Sequence, residues 1–254
     1  IRDSSKSVND GTSSVAYSNW KYNYSRDTNS ENELGFSKFD VPHRLMAQLS
    51  YTTPKYLNGW TSTTISVIYN GFSGSRYSLT MNEVSDFNGD GQKGNSLLYI
   101  PTEAEMDNMN FVDYTDQKTG KLIMSAADSR KAFTEWVNND DYAKNHRGQY
   151  AERNSNLSNW EHEIDLHLAQ TIYNAQGLGK LEFTFDIINF ANMLNKKWGA
   201  SYSSAYNLSP LTVVSLSTDE NGNRNPGYAF NNAKINKSDI SSRWHAQVGI
   251  RLTF

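Results

Sequence analysis

The stretch that decides the fold is SSRWHAQVGIRLTF, residues 241–254, at the end of the 254-residue sequence. From Trp244 to Phe254 every second side chain is apolar, and most of the intervening ones are polar. This alternation is typical of a β-strand with one apolar and one polar face. Terminal residues fray unless neighbours hold them. An alternation that persists to the last residue therefore predicts a strand that is paired on both edges.

Four other segments show the same alternation: residues 43–51, 61–71, 159–174 and 180–192. In the third of them, Ile164 and Leu166 alternate with Asp165 and His167. The lengths are close to the ~9–11 residues of a tilted membrane strand, and a charged or hydroxylic second face suits a water-filled lumen. A soluble β-sandwich can show the same alternation, so the pattern by itself leaves both folds open.

Composition narrows the class of protein. Aromatic residues make up 13% of the chain, although its mean hydropathy is −0.69. This combination suits a membrane β-barrel with aromatic girdles and long polar loops.

A net charge of −3 argues against a nucleic-acid partner, and the absence of cysteine excludes disulfides and thiolate metal sites. We find no apolar run long enough for a membrane-spanning helix and no signal peptide, and we interpret the chain as a piece of a longer protein.

The connections between the predicted strands differ greatly in length. Residues 53–59 and 174–180 are short turns, whereas residues from about 73 to 158 form one long excursion. Outer-membrane barrels have this asymmetry, with short turns on one side and long extracellular loops on the other. Within the excursion, residues 125–145 predict a short helix that begins after Ser125. Residues 206–230 predict a strand, a turn and a returning strand, which gives about eight to nine strands in all.

Three segments together resemble one protein family. They are residues 69–103, which contain DFNGDG and YIPTE, residues 146–170, which begin HRGQYAERN, and residues 181–199, which end LNKKWG. In this order they resemble the C-terminal barrel region of TonB-dependent outer-membrane transporters of the Oar-like group, which carry an N-terminal carboxypeptidase-regulatory-like domain. The final Phe254 resembles the C-terminal aromatic signature that the outer-membrane barrel assembly machinery recognises.

The resemblance implies an all-β fold, an antiparallel transmembrane β-barrel of 22 strands in the outer membrane of a Gram-negative bacterium. Residues 1–254 would form its last eight or nine strands, without the plug and the N-terminal domains. The implied function is TonB-dependent active transport, and this chain supplies barrel wall and extracellular loops. The implied partners are TonB–ExbB–ExbD through the missing plug, the assembly machinery, and lipid or lipopolysaccharide, and a surface lipoprotein is a further candidate.

A candidate calcium loop lies at residues 86–97, DFNGDGQKGNSL. Asp86, Asn88 and Asp90 occupy positions 1, 3 and 5 of a calcium-loop pattern, and the Gln92 carbonyl occupies position 7. Position 12 is a leucine where the full motif has a bidentate glutamate, so we expect weak binding unless another carboxylate, such as Glu83, completes the shell. The alternative is a surface turn rich in Asn and Asp.

Acidic residues follow the polar faces of two neighbouring predicted strands. The lumen-facing candidates are Glu161, Glu163, Asp165, His167, Glu182 and Asp186. Paired carboxylates can serve a glycosidase. Here we favour a polar barrel wall that pairs with Arg44 or Arg251, because no nucleophile with its base can be assembled, and we predict no enzyme. His162 and His167 are five residues apart on one strand, so they lie on opposite faces and cannot share a metal ion.

Two further groups complete the candidate sites. Arg147, Tyr150 and Arg153 lie in a predicted loop at the barrel mouth, where they contact substrate or pack against other loops. Four tryptophans stand at strand ends, as in the aromatic girdles of membrane barrels: Trp60, Trp160, Trp198 and Trp244.

The sequence is also compatible with two other functions. One is a small structural or adhesive outer-membrane barrel, which would have to carry an unusually long loop. The other is a secreted glycan-binding β-sandwich, which could use the 15 tyrosines.

Overall fold

The computed structural model describes residues 2–3, 23–26, 34–83, 86–88, 93–116, 118–173, 177, 179–202 and 206–254. The fold is all-β, as the sequence predicts, with few helices. The strands are β1 (Arg2–Asp3), β2 (Gly35–Phe36), β3 (Arg44–Thr52), β4 (Thr61–Phe72), β5 (Arg76–Glu83), β6 (Tyr99–Ile100), β7 (Tyr114–Thr115), β8 (Leu122–Met124), β9 (Gln149–Tyr150), β10 (Asn156–Leu157), β11 (Glu161–Ile172), β12 (Lys180–Ile188), β13 (Asn207–Thr218), β14 (Arg224–Phe230) and β15 (His245–Thr253). The helices are α1 (Glu103–Asn108), α2 (Ala126–Asn139) and α3 (Phe190–Leu194), and a 3-10 turn spans Ala143–Asn145. The part of the chain described here contains no helix with the length and apolar character needed to cross a membrane.

The chain divides into two compact units. The first, which we call the core unit, comprises Ile1–Asp40, Arg76–Leu157 and Ser204–Ile235. The second, which we call the sheet unit, comprises Val41–Ser75, Ser158–Ser203 and Asn236–Phe254.

The sheet unit is built on a five-stranded antiparallel sheet in the order β15-β12-β11-β4-β3. Because this order follows the chain, the sheet is an up-and-down meander. Two short connections, residues 53–60 and 173–179, join strands at one end of the sheet. Two long connections, residues 73–160 and 189–244, join strands at the opposite end, which we call the long-loop end.

The register separates the side chains of this sheet into an apolar face and a polar face. One row on the apolar face crosses all five strands and contains Tyr51, Ile65, Leu168, Phe185 and Val248. The adjacent row, on the polar face, contains Ser50, Ser66, His167, Asp186 and Gln247. The faces that the sequence alternation predicts are therefore the faces that the pairing produces.

The apolar face of the sheet unit is exposed. Leu49 is 76% exposed and Val248 is 73% exposed, whereas Ser66 on the polar face is only 5% exposed. Ser66 also accepts a hydrogen bond from the Ser50 hydroxyl across the strand pair at 2.8 Å. A sheet that folds in water turns its apolar face inward, so this sheet has the opposite arrangement.

The core unit has a conventional hydrophobic interior. Its four-stranded sheet has the order β10-β5-β13-β14, in which β5 and β13 are parallel. Leu79 of β5 and Val213 of β13 pack with Phe133 and Val137 of α2, and all four are almost completely buried. Helix α2 begins after Ser125, whose hydroxyl accepts the Asp128 N–H at 3.1 Å, so the predicted helix start is confirmed.

The number of strands in the sheet unit differs from the eight or nine expected. Residues 206–230 do form the predicted strand pair, β13 and β14, but β13 pairs with β5 in the core unit. Five strands therefore remain in the meander, and the described residues do not form a closed barrel.

Helix α1 is absent from the sequence prediction. Its signal is nevertheless present, because Thr102 and Glu105 form a capping box in which each side chain accepts the other's backbone N–H.

Candidate functional site

The six candidate lumen residues all lie on the polar face of the sheet unit, on the neighbouring strands β11 and β12. His167 and Asp186 are directly opposite each other, and the His167 Nδ1 contacts the Asp186 carboxylate. Glu182 forms ion pairs with Lys180 Nζ at 3.0 Å and with Arg251 Nη1 at 3.7 Å. The expected pairing with Arg251 is therefore present.

The other expected cation has a different partner. Arg44 Nε donates a hydrogen bond to the amide oxygen of Asn70 at 3.1 Å on the adjacent strand. This contact still lies on the polar face of the sheet.

Two of the acidic residues bind backbone in the long connection that follows β12. Asp165 Oδ1 accepts the Asn189 N–H at 2.8 Å, and Glu161 Oε1 accepts the Tyr202 N–H at 3.0 Å. Both carboxylates therefore help to hold residues 189–202 against the long-loop end of the sheet. Beside them is a cavity of about 200 Å³ whose lining includes Glu161, Glu163, Asn189 and Ser201.

Asn189 is the centre of this arrangement, although the sequence pattern does not predict its role. Its backbone is left-handed, with φ 56°, and its side-chain amide donates to the carbonyls of Gly199 at 2.8 Å and Ser242 at 2.9 Å. Gly199 also has a positive φ of 57°, and a Cβ atom there would lie 1.8 Å from Asn189 Oδ1. The glycine of the LNKKWG motif is therefore required by both its backbone conformation and its close packing.

The predicted girdle tryptophans lie at both ends of the sheet. Trp160 and Trp244 precede β11 and β15 at the long-loop end, and Trp198 lies in the connection at that same end. Trp60 precedes β4 at the short-turn end. All four side chains are about half exposed.

Other aromatic rings extend the cluster around Trp160. The indole stacks between the imidazoles of His43 and His162, with centroid separations of 6.2 and 6.1 Å. His162 Nδ1 is also hydrogen-bonded to the Tyr69 hydroxyl at 2.8 Å. Since His162 shares the apolar face and His167 shares the polar face, their predicted separation onto opposite faces is confirmed. A cavity of about 290 Å³ adjoins Trp160, His162 and Trp198.

The three predicted mouth residues lie in the core unit. Arg147 donates hydrogen bonds to the Pro101 carbonyl at 3.1 Å and to Asn138 Oδ1 at 2.6 Å, so it ties the loop to helix α2. Arg153 is buried. Tyr150 is exposed, with its ring edge against Tyr99 at a centroid distance of 5.1 Å, and it is the one of the three that can meet a ligand without rearrangement.

The candidate calcium loop is described only in part, because Asp90 and Gln92 lie outside the described residues. Asn88 Nδ2 donates to the Ser25 hydroxyl at 3.1 Å. Glu83 is buried at the end of β5, and burial raises its pKa. The residues that the structure describes contain no group of three or more His, Cys, Asp or Glu side chains that could hold a metal ion.

No family model, no curated protein and no solved structure matches this sequence.

Proposed function

We propose that this chain forms part of the wall and the extracellular loops of a β-barrel that transports a substrate across the outer membrane in a TonB-dependent manner. In this proposal the sheet unit is the section of barrel wall, and its apolar face contacts lipid. The core unit is formed by residues of the extracellular loops.

The observation that carries the proposal is the contrast between the two units. The core unit buries Leu79, Phe133 and Val213, as a protein surrounded by water does. The sheet unit leaves Leu49 and Val248 largely uncovered although both belong to a continuous apolar face. A large exposed apolar surface marks a membrane or protein contact. A glycan-binding sandwich would pack that face against a second sheet, so the exposure favours the barrel.

The dimensions of the sheet support the same proposal. The five strands have nine to twelve residues each. Twelve residues extend about 40 Å, and a tilt of about 40° reduces the span across a membrane to about 30 Å. Trp60 and Trp160 lie at the two ends of that span, where aromatic girdles contact the membrane interfaces.

The polar face would then be a stretch of the lumen wall. Apart from Glu163, the carboxylates of this face are paired with a histidine, with cations or with backbone N–H groups, so they provide a hydrated surface along which a solute can pass. We propose no covalent chemistry for this chain. Energy would come from TonB–ExbB–ExbD through a plug that lies outside this sequence, and Phe254 would serve recognition by the assembly machinery.

The membrane arrangement can be tested by cysteine scanning, because these 254 residues contain no cysteine that would compete for the label. Single cysteines are placed from position 245 to 253 in the full-length protein in lipid vesicles and carry a nitroxide spin label. We expect oxygen, which concentrates in lipid, to relax the labels at 246, 248, 250 and 252. A water-soluble nickel chelate should relax the labels at 247, 249 and 251. Equal access of the nickel chelate to both sets of positions would overturn the barrel proposal.

TonB dependence can be tested without knowledge of the substrate. Spent growth medium is compared between the parent strain, a strain lacking this gene and a strain lacking tonB. We expect at least one compound to remain in the medium of both mutants and to be consumed by the parent. The transport proposal is wrong if no compound remains in the medium of both mutants. That result would leave the barrel arrangement itself unaffected.

A further inference from the structure

A cavity rich in cations, which we call the basic cavity, lies in the connection between β12 and β15, at the long-loop end of the sheet unit. Its volume is about 530 Å³, and the charged residues of its lining are Lys196, Lys237, Arg243 and Asp239. Three cations therefore meet one carboxylate, in a chain whose net charge is −3. Positive charge is concentrated at this place.

The three cations of the basic cavity lack acidic partners. Among the residues that the structure describes, no carboxylate oxygen lies within 4.0 Å of any of their nitrogens. Lys237 Nζ donates instead to the backbone carbonyl of Lys196. Cations that share a cavity without counter-charge repel one another, so a bound anion would be favoured there.

Backbone contacts hold together the two parts of the connection that line the basic cavity. Lys237 pairs with Tyr202 as an isolated bridge, and the Ser238 N–H donates to the Ser201 carbonyl at 2.8 Å. The Ser242 hydroxyl accepts the Ser201 N–H at 2.9 Å. Because the backbone is fixed on both sides, an anion would bind to a frame that is already in place, which lowers the cost of binding.

Exposed apolar side chains border the same cavity. Met193 and Trp244 line it, and both are more than a third exposed. Leu194 and Ile240, each of which directly follows a lining residue in the chain, are 61% and 82% exposed. Cations beside uncovered apolar groups are typical of a membrane interface, where the apolar groups enter the acyl region and the cations contact lipid headgroups.

We propose that the basic cavity binds the phosphate group of a phosphorylated glycolipid in the outer leaflet of the membrane. This inference rests on the proposed function, because the barrel arrangement is what brings the long-loop end to the outer interface. Arg243 offers a planar guanidinium that can bond two phosphate oxygens, and the lysines add point charges beside it. A volume within the range of about 300–1,000 Å³ that small-molecule sites occupy leaves room for a sugar attached to the phosphate.

The test is lipid binding by the full-length protein in detergent micelles, measured by native mass spectrometry. The probes are diphosphoryl lipid A and lipid A from which both phosphates have been removed. We expect the natural protein to bind the phosphorylated probe about tenfold more tightly or better. Lys196→Gln/Arg243→Gln removes two exposed cations from the cavity and should weaken binding of that probe by about tenfold or more, since each cation near an anionic lipid contributes about fivefold.

The matched control is Lys55→Gln/Lys131→Gln, which removes the same charge from exposed positions outside the cavity and should bind the phosphorylated probe as the natural protein does. Lys196→Arg keeps the charge and should also bind normally. The inference is wrong if the natural protein does not distinguish the two probes, or if the control loses as much binding as the cavity variant.

Inorganic phosphate in large excess separates a lipid site from a site for a soluble phosphate compound. We expect it to leave the lipid bound, because the apolar contacts of the lipid are not replaced. Release of the lipid would overturn the assignment to a membrane lipid. The spin labels on β15 report on the barrel separately, so failure of lipid binding with an intact labelling pattern contradicts this inference and leaves the proposed function standing.

Discussion

Val248 tests most directly whether lipid or water contacts the apolar face of the sheet unit. It is the fourth residue of the nine-residue strand β15, close to the middle of the strand's length, and it is largely exposed. Replacement by arginine at an exposed position in water usually changes the free energy of unfolding by less than about 0.5 kcal/mol. Near the middle of a bilayer, an arginine on the lipid face of a barrel costs about 2–4 kcal/mol.

The adjacent position gives the matched control. Gln247 lies on the polar face, directly opposite Asp186, where an added guanidinium stays in water and has a carboxylate nearby. We expect Gln247→Arg to be close to neutral. The two variants therefore differ only in the face that receives the same side chain.

The assay is equilibrium unfolding of the full-length protein in phospholipid vesicles, followed by tryptophan fluorescence. A cost of 2–4 kcal/mol corresponds to a decrease in the folding equilibrium constant of about 30- to 700-fold for Val248→Arg. If Val248→Arg and Gln247→Arg unfold at the same denaturant concentration, lipid does not contact the apolar face and the reasoning fails.

Two further predictions, one for each unit, concern contacts within the fold. In the core unit, an oxygen of the partly exposed Asp40 lies 2.7 Å from Nη2 of the buried Arg76. Asp40→Asn should therefore lower stability by about 1.5–3 kcal/mol in chemical unfolding, and no change would contradict the pair's role. Burial tends to raise the pKa of Asp40, but the hydrogen bond and charge of Arg76 outweigh it and lower that pKa. The stabilisation by the ion pair should therefore be complete above the unfolded pKa near ~3.9 and be lost as the pH falls through the lower folded pKa. Asp40→Asn should weaken this dependence of stability on acid. In the sheet unit, Gly199→Ala should cost about 2 kcal/mol or more, since its Cβ would collide with Asn189 in addition to the backbone strain. Gly59→Ala, with a positive φ but open space around its Cβ, should cost only the strain of about 1–2 kcal/mol, and equal losses at both glycines would contradict the packing argument.

The sequence predicts the faces of the strands well, because alternation depends only on local backbone geometry. Leu166 and His167, for example, lie on the predicted opposite faces of β11. The start of helix α2 is equally local, since the Ser125 cap and the Asp128 that follows it are only three residues apart.

Pairing between distant segments is what the sequence does not reveal. The parallel contact between β5 and β13 joins residues more than a hundred positions apart, and alternation carries no information about which strand becomes the partner. For the same reason, the bonds from Asp165 and Glu161 to residues 189 and 202 could not be predicted. From the sequence alone, both carboxylates are interpreted as hydrated groups of a lumen wall, because alternation does not show that the long connection lies beside them.

The two long connections of the sheet unit have a consequence for how such a protein can change over evolution. Each leaves one strand and returns on the adjacent, hydrogen-bonded strand, as Phe72 opposite Glu161 and Ile188 opposite His245 show. Insertion or deletion within these excursions therefore leaves the register of the meander untouched. Natural variation can remodel the segments that meet the environment while the strands inherit an unchanged hydrogen-bonding pattern.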